Sequence, residues 1–170
     1  ELGHGSWGTI YGVEDNPSVV LKVARNSEAS FPSLAEVDIL FRIQSPYVLA
    51  GDQIHAPGDF LGLTSASMAI ERADGSFEDL IPSLGTIEKG YLFSHYVMGI
   101  QDLHEAGYYH LDLSIYNLMY KNDPNYPYHL RGLVIDFGAA IPFIPGHSLN
   151  VTTSMARTTC NYASPDAITS

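Results

Sequence analysis

A single cysteine, Cys160, is all the thiol chemistry in 170 residues. One thiol closes no internal disulfide and makes no Cys-x-x-Cys metal pair, so a reducing, intracellular setting is expected, cytoplasmic or nuclear. Basic residues are scarce: eight Lys and Arg stand against nineteen Asp and Glu, a formal charge of -11. Reading a nucleic-acid duplex takes a cationic face, and holding an anionic bilayer takes a polybasic stretch. Neither a nucleic-acid nor a membrane partner is therefore expected. No apolar run approaches the roughly 18 residues of a membrane span. The opening Glu1-Leu2-Gly3-His4-Gly5 lacks the charged-then-apolar pattern of a leader. The sequon Asn150-Val151-Thr152 reads as chance, since an intracellular chain never meets the glycosyl transferase. Internal repeats are missing as well.

What is present is 45% hydrophobic and 16% charged, enough for one ordinary domain or two small lobes with a real core. Residues 1 to 25 have the pattern of a hairpin: Ile10-Tyr11-Gly12-Val13, a turn over Glu14 to Ser18, then Val19-Val20-Leu21-Lys22-Val23. From 31 to 43 the period becomes helical, with Leu34, Val37, Leu40 and Phe41 on one face and Pro32 suited to a first turn. Val48-Leu49 and Met68-Ala69-Ile70 read as further short strands. Ala73-Asp74-Gly75-Ser76 reads as a loop, where we place a boundary between a unit over 1–72 and one over 73–170. Residues 86 to 106 predict the longest helix, closed by Gly107. Leu118-Met119-Tyr120 and Leu133-Val134-Ile135 predict a second hairpin, and 141 to 161 a loop. Both chain ends fall inside what reads as structured sequence, so a cut chain is expected.

Four segments carry chemistry. Gly3-His4-Gly5-Ser6-Trp7-Gly8-Thr9-Ile10 spaces its glycines so that backbone N–H groups can approach phosphates. A strand rather than a helix follows, which disfavours a dinucleotide fold and favours a flap over a nucleotide. Lys22 sits in an apolar strand; the plain alternative is an edge-strand lysine facing water. Fourteen residues on, Glu36 is its candidate partner in the first helix, with Glu28 and Asp38 as rivals. In His110-Leu111-Asp112-Leu113-Ser114-Ile115-Tyr116-Asn117, Asp112 can orient and accept the proton of an attacking hydroxyl. Asn117, five residues later, can turn back to hold a metal. Asp136-Phe137-Gly138 ends an apolar strand, with Asp136 placed for magnesium and Gly138 permitting a turn. Each piece has a bland reading as turn, cap or solvated face; their order and element types make the set specific.

That ordered set resembles the eukaryotic-type protein kinase catalytic domain. The likeness extends to Tyr162-Ala163-Ser164-Pro165-Asp166, which is similar to the family's activation-segment ending. It implies an α+β, bilobal fold: an antiparallel-sheet N-lobe with one helix, and a mostly helical C-lobe, here expected to be truncated. It implies ATP and Mg2+ as cofactors and a protein substrate. Ile10 and Val20 would roof the adenine and Met119 floor it, while Glu71 to Ala73 would form the hinge, guarded by Ile70. Gly3, Gly5 and Gly8 would cover the phosphates, and Lys22 would reach them. Leu40, His110 and Phe137 would belong to an apolar stack joining the lobes. Magnesium would sit on Asn117 and Asp136, and Asp112 would be the base.

The sequence departs from that pattern at charge-bearing positions. Leu111 replaces the Arg before the catalytic Asp, and Ser114 a phosphate-steadying Lys. Tyr116 occupies the site of the Arg that tyrosine kinases use. Arg157 is one substitute cation, and Thr159 matches the serine/threonine type. The expectation is an active kinase, serine/threonine favoured over tyrosine. The rivals are a nucleotide-binding pseudokinase scaffold and a small-molecule kinase of similar fold.

Overall fold

The computed structural model describes residues 1–4, 8–24, 34–56 and 65–143. Five strands form an antiparallel sheet: β1 (Gly3–His4), β2 (Gly8–Gly12), β3 (Val19–Ala24), β4 (Gly51–His55) and β5 (Ser67–Glu71), in the order β1-β2-β3-β5-β4. The β-branched run of β3 is buried along almost its whole length, as suits a central strand. Lys22 therefore lies opposite Ile10 on one side and Met68 on the other, and it is not on an edge. Helix α1 (Leu34–Arg42) crosses this sheet with Glu36 in its first turn and Arg42 in its last, both favourable to the helix dipole.

The second half of the chain begins as a short helix, α2 (Phe77–Leu80), capped by the Ser76 hydroxyl, which accepts from the Asp79 N–H. Next comes α3 (Thr86–Glu105), the twenty-residue helix that packs on the hairpin of β8 (Leu118–Asn122) and β9 (Leu130–Val134). Gly107 stops α3 at φ +87°, a left-handed conformation that favours glycine. Two segments expected to be loop contribute strand. Gly75–Ser76 is β6, paired with β8, and Ile141–Pro142 is β10, paired with β7 (Tyr108–Tyr109). The remainder of the expected loop, from 144 on, lies outside the described residues.

The expected strand at Val48-Leu49 is corrected. Val48 makes only an isolated parallel bridge to Val134, and the neighbouring strand is β4 instead. Segment 45–49 is nevertheless tied down. Leu49 N–H donates to the Val134 carbonyl (3.0 Å), Val134 N–H to the Tyr47 carbonyl (2.9 Å), and the Ser45 hydroxyl to Asp102 of α3. At Gly99 of α3 a Cβ would stand 2.6 Å from the Tyr47 carbonyl oxygen, so helix and segment are in backbone contact. One apolar core runs through both halves, from Val20, Ile39 and Met68 to Leu92, Leu103, Leu133 and Phe137. Among the described residues no helix is long and apolar enough to cross a membrane.

Candidate active site

The cleft between the sheet and the β8–β9 hairpin has two connected parts. The outer, about 350 Å³, is lined by Ile10 and Val20 above, Met119 below, and Glu71 to Gly75 along the back. The inner, about 440 Å³, takes in Gly3, Gly8, Lys22, Glu36, Asn117, Asp136 and Phe137. Volumes of this size suit a drug-sized or nucleotide-sized ligand. Gly5 lies outside the described residues, but Gly8 explains its own identity: a Cβ there would meet the Val23 carbonyl oxygen at 2.5 Å.

At the back of the outer part, the Arg72 N–H is taken by Ser18 O (2.8 Å) and the Asp74 N–H by Tyr120 O (2.9 Å). Between them the Ala73 amide meets no backbone carbonyl among the described residues. Glu71 lines the cleft, but its N–H goes to Ala50 O (2.9 Å) and its carboxylate points away. Oε1 accepts from Lys121 Nζ (2.7 Å) and Arg131 Nη2 (2.6 Å). Arg131 also donates to Pro46 O at 2.6 Å, so the end of β5 is braced from behind.

The inner part holds the charges. Lys22 Nζ donates to Glu36 Oε1 at 2.6 Å, with both side chains nearly buried, and lies 3.6 Å from Asp136 Oδ1. Burial pushes the Glu36 carboxyl up from its ordinary range, against the pull of the Lys22 ammonium. Of the two rivals for that lysine, Asp38 is engaged elsewhere, by Arg42 and Tyr108, and Glu28 lies outside the described residues. Lys22 is the only Lys or Arg lining the inner part among the described residues.

The segment from His110 to Asn117 is held from two sides. The Asp112 N–H donates to His110 Nδ1 (3.3 Å), which leaves the ring proton on Nε2, where it is donated to the Ile135 carbonyl (2.9 Å). Burial lowers the His110 pKa, consistent with that neutral tautomer. Its ring meets Phe137 edge-on at 5.5 Å, and Leu40, His110 and Phe137 are all buried. Asn117 Nδ2 donates to Asp112 O (2.8 Å) and approaches Asp112 Oδ2 (3.4 Å), while Asn117 Oδ1 has no hydrogen-bond donor among the described residues. The Asn117 carbonyl accepts from Ile135 N–H (3.1 Å), so Asn117 and Asp136 stand on adjacent backbones. Leu111 (φ 60°) and Asp136 (φ 61°) are both left-handed, a strained state costing roughly 1 to 3 kcal/mol each.

Three comparisons bear on this arrangement. A model of the protein kinase domain matches residues 1–170. The chain belongs to the protein kinase domain family. No curated protein sequence matches it. Among solved structures, the kinase domain is similar to a chain in the crystal structure of the yeast RNA Pol II CTD kinase CTDK-1 complex. The TM-score is 0.59 at 22% identity, over 75% of this chain and 40% of that one. At that identity the likeness speaks for the fold, a bilobal kinase fold of which this chain spans less than half.

Sequence reasoning missed Leu49 and Ile135, which line both parts of the cleft. Ile135 had a signal, being the apolar residue before Asp136; Leu49 was read only as strand. The departures also find their places. Ser114 is buried and does not line the cleft, whereas Tyr116 does, and is largely exposed. Arg157, Thr159 and the Tyr162-to-Asp166 ending lie outside the described residues. Among the described residues no cluster of three or more His, Cys, Asp or Glu could hold a metal by itself. Asn117 and Asp136 fit an ion shared with phosphate oxygens, the manner in which magnesium is usually held.

Proposed function

We propose that this kinase domain transfers the γ-phosphoryl group of Mg·ATP to a serine or threonine hydroxyl of a protein. The observation that carries the reading is the buried Lys22–Glu36 pair with Asp136 beside it, facing the same cleft as Asn117. Bound Mg·ATP would supply the phosphoryl group and the positive charge that offsets it. Lys22, oriented by Glu36, would bind the phosphates, and Asn117 Oδ1 and Asp136 would hold the ion. The Asp112 carboxylate, fixed by Asn117 and by the His110 contact on its backbone, would orient the acceptor hydroxyl and take its proton. The Ala73 amide would meet the adenine edge.

The second reading, a nucleotide-binding pseudokinase, is favoured by one observation. Ser114 is buried and Tyr116 is uncharged, so no catalytic-loop cation faces the cleft among the described residues. Transfer of radiolabelled phosphate by the full-length protein to mixed protein substrates separates the two. In Asp112→Ala, turnover should fall by about 10² to 10⁴ while nucleotide affinity stays near that of the wild type. Turnover insensitive to this change would remove Asp112 from the mechanism. A nucleotide-induced rise in melting temperature that is equal with and without magnesium would favour the pseudokinase.

A further inference from the structure

Helix α1 presents two carboxylates, and the second has a use of its own. Asp38 Oδ2 accepts from Arg42 Nε (2.9 Å), one turn along the helix, and from the hydroxyl of Tyr108, seventy residues away. An exposed i,i+4 pair such as Asp38–Arg42 stabilises a helix by only a few tenths of a kcal/mol. The Tyr108 bond is different in kind, because it leaves the helix. Tyr108 is buried, is paired to Pro142 through β7 and β10, and stands four residues before Asp112. The hydrogen bond from Tyr108 is also the first cause of the lowered Asp38 pKa, so the acceptor is held as a carboxylate.

The geometry concerns rotation. Successive helical residues are about 100° apart, so Glu36 and Asp38 leave α1 on nearly opposite sides. Glu36 is fastened to Lys22 in the sheet; Asp38 is fastened to the strand that runs into the catalytic loop. One anchor fixes the distance of a helix from its neighbour, whereas two on opposite sides also fix its roll about its own axis.

We propose that Tyr108 and Asp38 form a latch that sets the roll of α1 and so holds Glu36 against Lys22. Both are positioning residues, and neither lines the cleft. The latch rests on the reading of Lys22–Glu36 as the pair that orients the phosphates. It also accounts for a departure in the sequence. Leu111 is uncharged and offers α1 no ion pair, whereas the latch ties the same stretch of chain to α1 through residues that need no modification.

The test uses the full-length protein and a non-hydrolysable ATP analogue with magnesium, its affinity measured by calorimetry, alongside the KM and kcat for ATP. Tyr108→Phe removes one hydroxyl and keeps the ring, so the fold survives. It should weaken binding of the analogue roughly three- to tenfold, the range for the net loss of one ordinary hydrogen bond. Asp38→Asn should do the same, and the double variant no more. The deciding measurement is coupling. In a Glu36→Gln background, Tyr108→Phe should cause no further loss of affinity, whereas the two losses in melting temperature should still add. Unchanged affinity in Tyr108→Phe, or affinity losses that add in full to those of Glu36→Gln, would overturn the latch. A wild type that binds the analogue but transfers no phosphate would overturn the kinase reading and leave the latch to be judged on the binding data. A wild type that binds no nucleotide overturns both.

Discussion

Lys22 carries a charge into an apolar strand, where the carboxylates of Glu36 and Asp136 offset the cost of burying it. Breaking a buried ion pair strands the surviving partner. Lys22→Met should therefore reduce kcat/KM for ATP by at least about 100-fold and also lower the melting temperature. Glu36→Gln keeps a hydrogen-bonding amide and should cost about tenfold, with Glu28→Gln close to wild type. A damaging Glu28→Gln beside a silent Glu36→Gln would move the assignment. The pair could be read from the sequence because an apolar strand and a helix of matching period put the two residues in order. Tyr108–Asp38 could not, since no periodicity links residues so far apart. His110 adds a pH dependence. Burial lowers its pKa from an ordinary 6.5, as it does that of His95, so below that pH the unfolded chain takes up protons that the folded chain refuses. Stability is fully present above about pH 6.5 and falls as the pH drops, by up to about 1.4 kcal/mol per unit for each histidine. Melting temperatures measured between about pH 7.5 and pH 5.5 should decline for the wild type. In His110→Phe the decline should be shallower from a lower starting point; an equal slope in both would contradict this.

Elements were legible in proportion to how much of their stability is local. The β2–β3 hairpin, α1, α3 and the β8–β9 hairpin each have a long apolar run or a helical period and stand where the pattern put them. The face expected for α1 is corrected: Glu36, Ile39 and Leu40 are buried, whereas Leu34 and Phe41 are exposed. Strand β4, Gly-Asp-Gln-Ile-His, is mostly exposed, has one β-branched residue, and exists because β5 offers it an edge across a bulge. The two-residue strands β6, β7 and β10 are likewise defined by partners distant in sequence. Helix α3 gives the test at this scale. Gly99 has no local signal for glycine, since alanine is the better helix former by about 1 kcal/mol. In the fold, however, a methyl there would press on the Tyr47 carbonyl at 2.6 Å. Gly99→Ala should therefore destabilise, against its helix propensity, by roughly 1 to 3 kcal/mol in urea unfolding. A stabilised variant would mean that segment 45–49 yields more easily than its hydrogen bonds suggest.

At the scale of the molecule, regulation follows from which charges the site has and which it lacks. The segment from 144 to 162 is rich in hydroxyls, among them Ser148, Thr152, Thr153, Ser154, Thr158 and Thr159. A phosphate on one of them adds up to two negative charges and orders a loop only by finding an arginine. Leu111 offers none, and Arg131 is committed to Glu71 and the Pro46 carbonyl. Arg157 is not at that position in the sequence and lies outside the described residues. Active full-length protein stripped by phosphatase, with the bare loop confirmed by mass spectrometry, should retain its activity. A loss beyond about tenfold, or 1.4 kcal/mol of barrier, restored on rephosphorylation, would show that another cation serves. The tethering of segment 45–49 has a different kind of consequence. By sequence order it precedes β4 and β5, yet its backbone is bonded to β9 and it lies against α3. If the upper sheet rocks over the cleft, this segment stays behind with the lower half. Along the chain itself the moving body is then joined to the stationary one at two places, near residues 43 to 50 and near 71 to 73, with the Asp38–Tyr108 bond as a non-covalent tie between them. A body with two attachments swings like a door about the line through both, so opening is confined to one arc and the mouth of the cleft always widens on the same side.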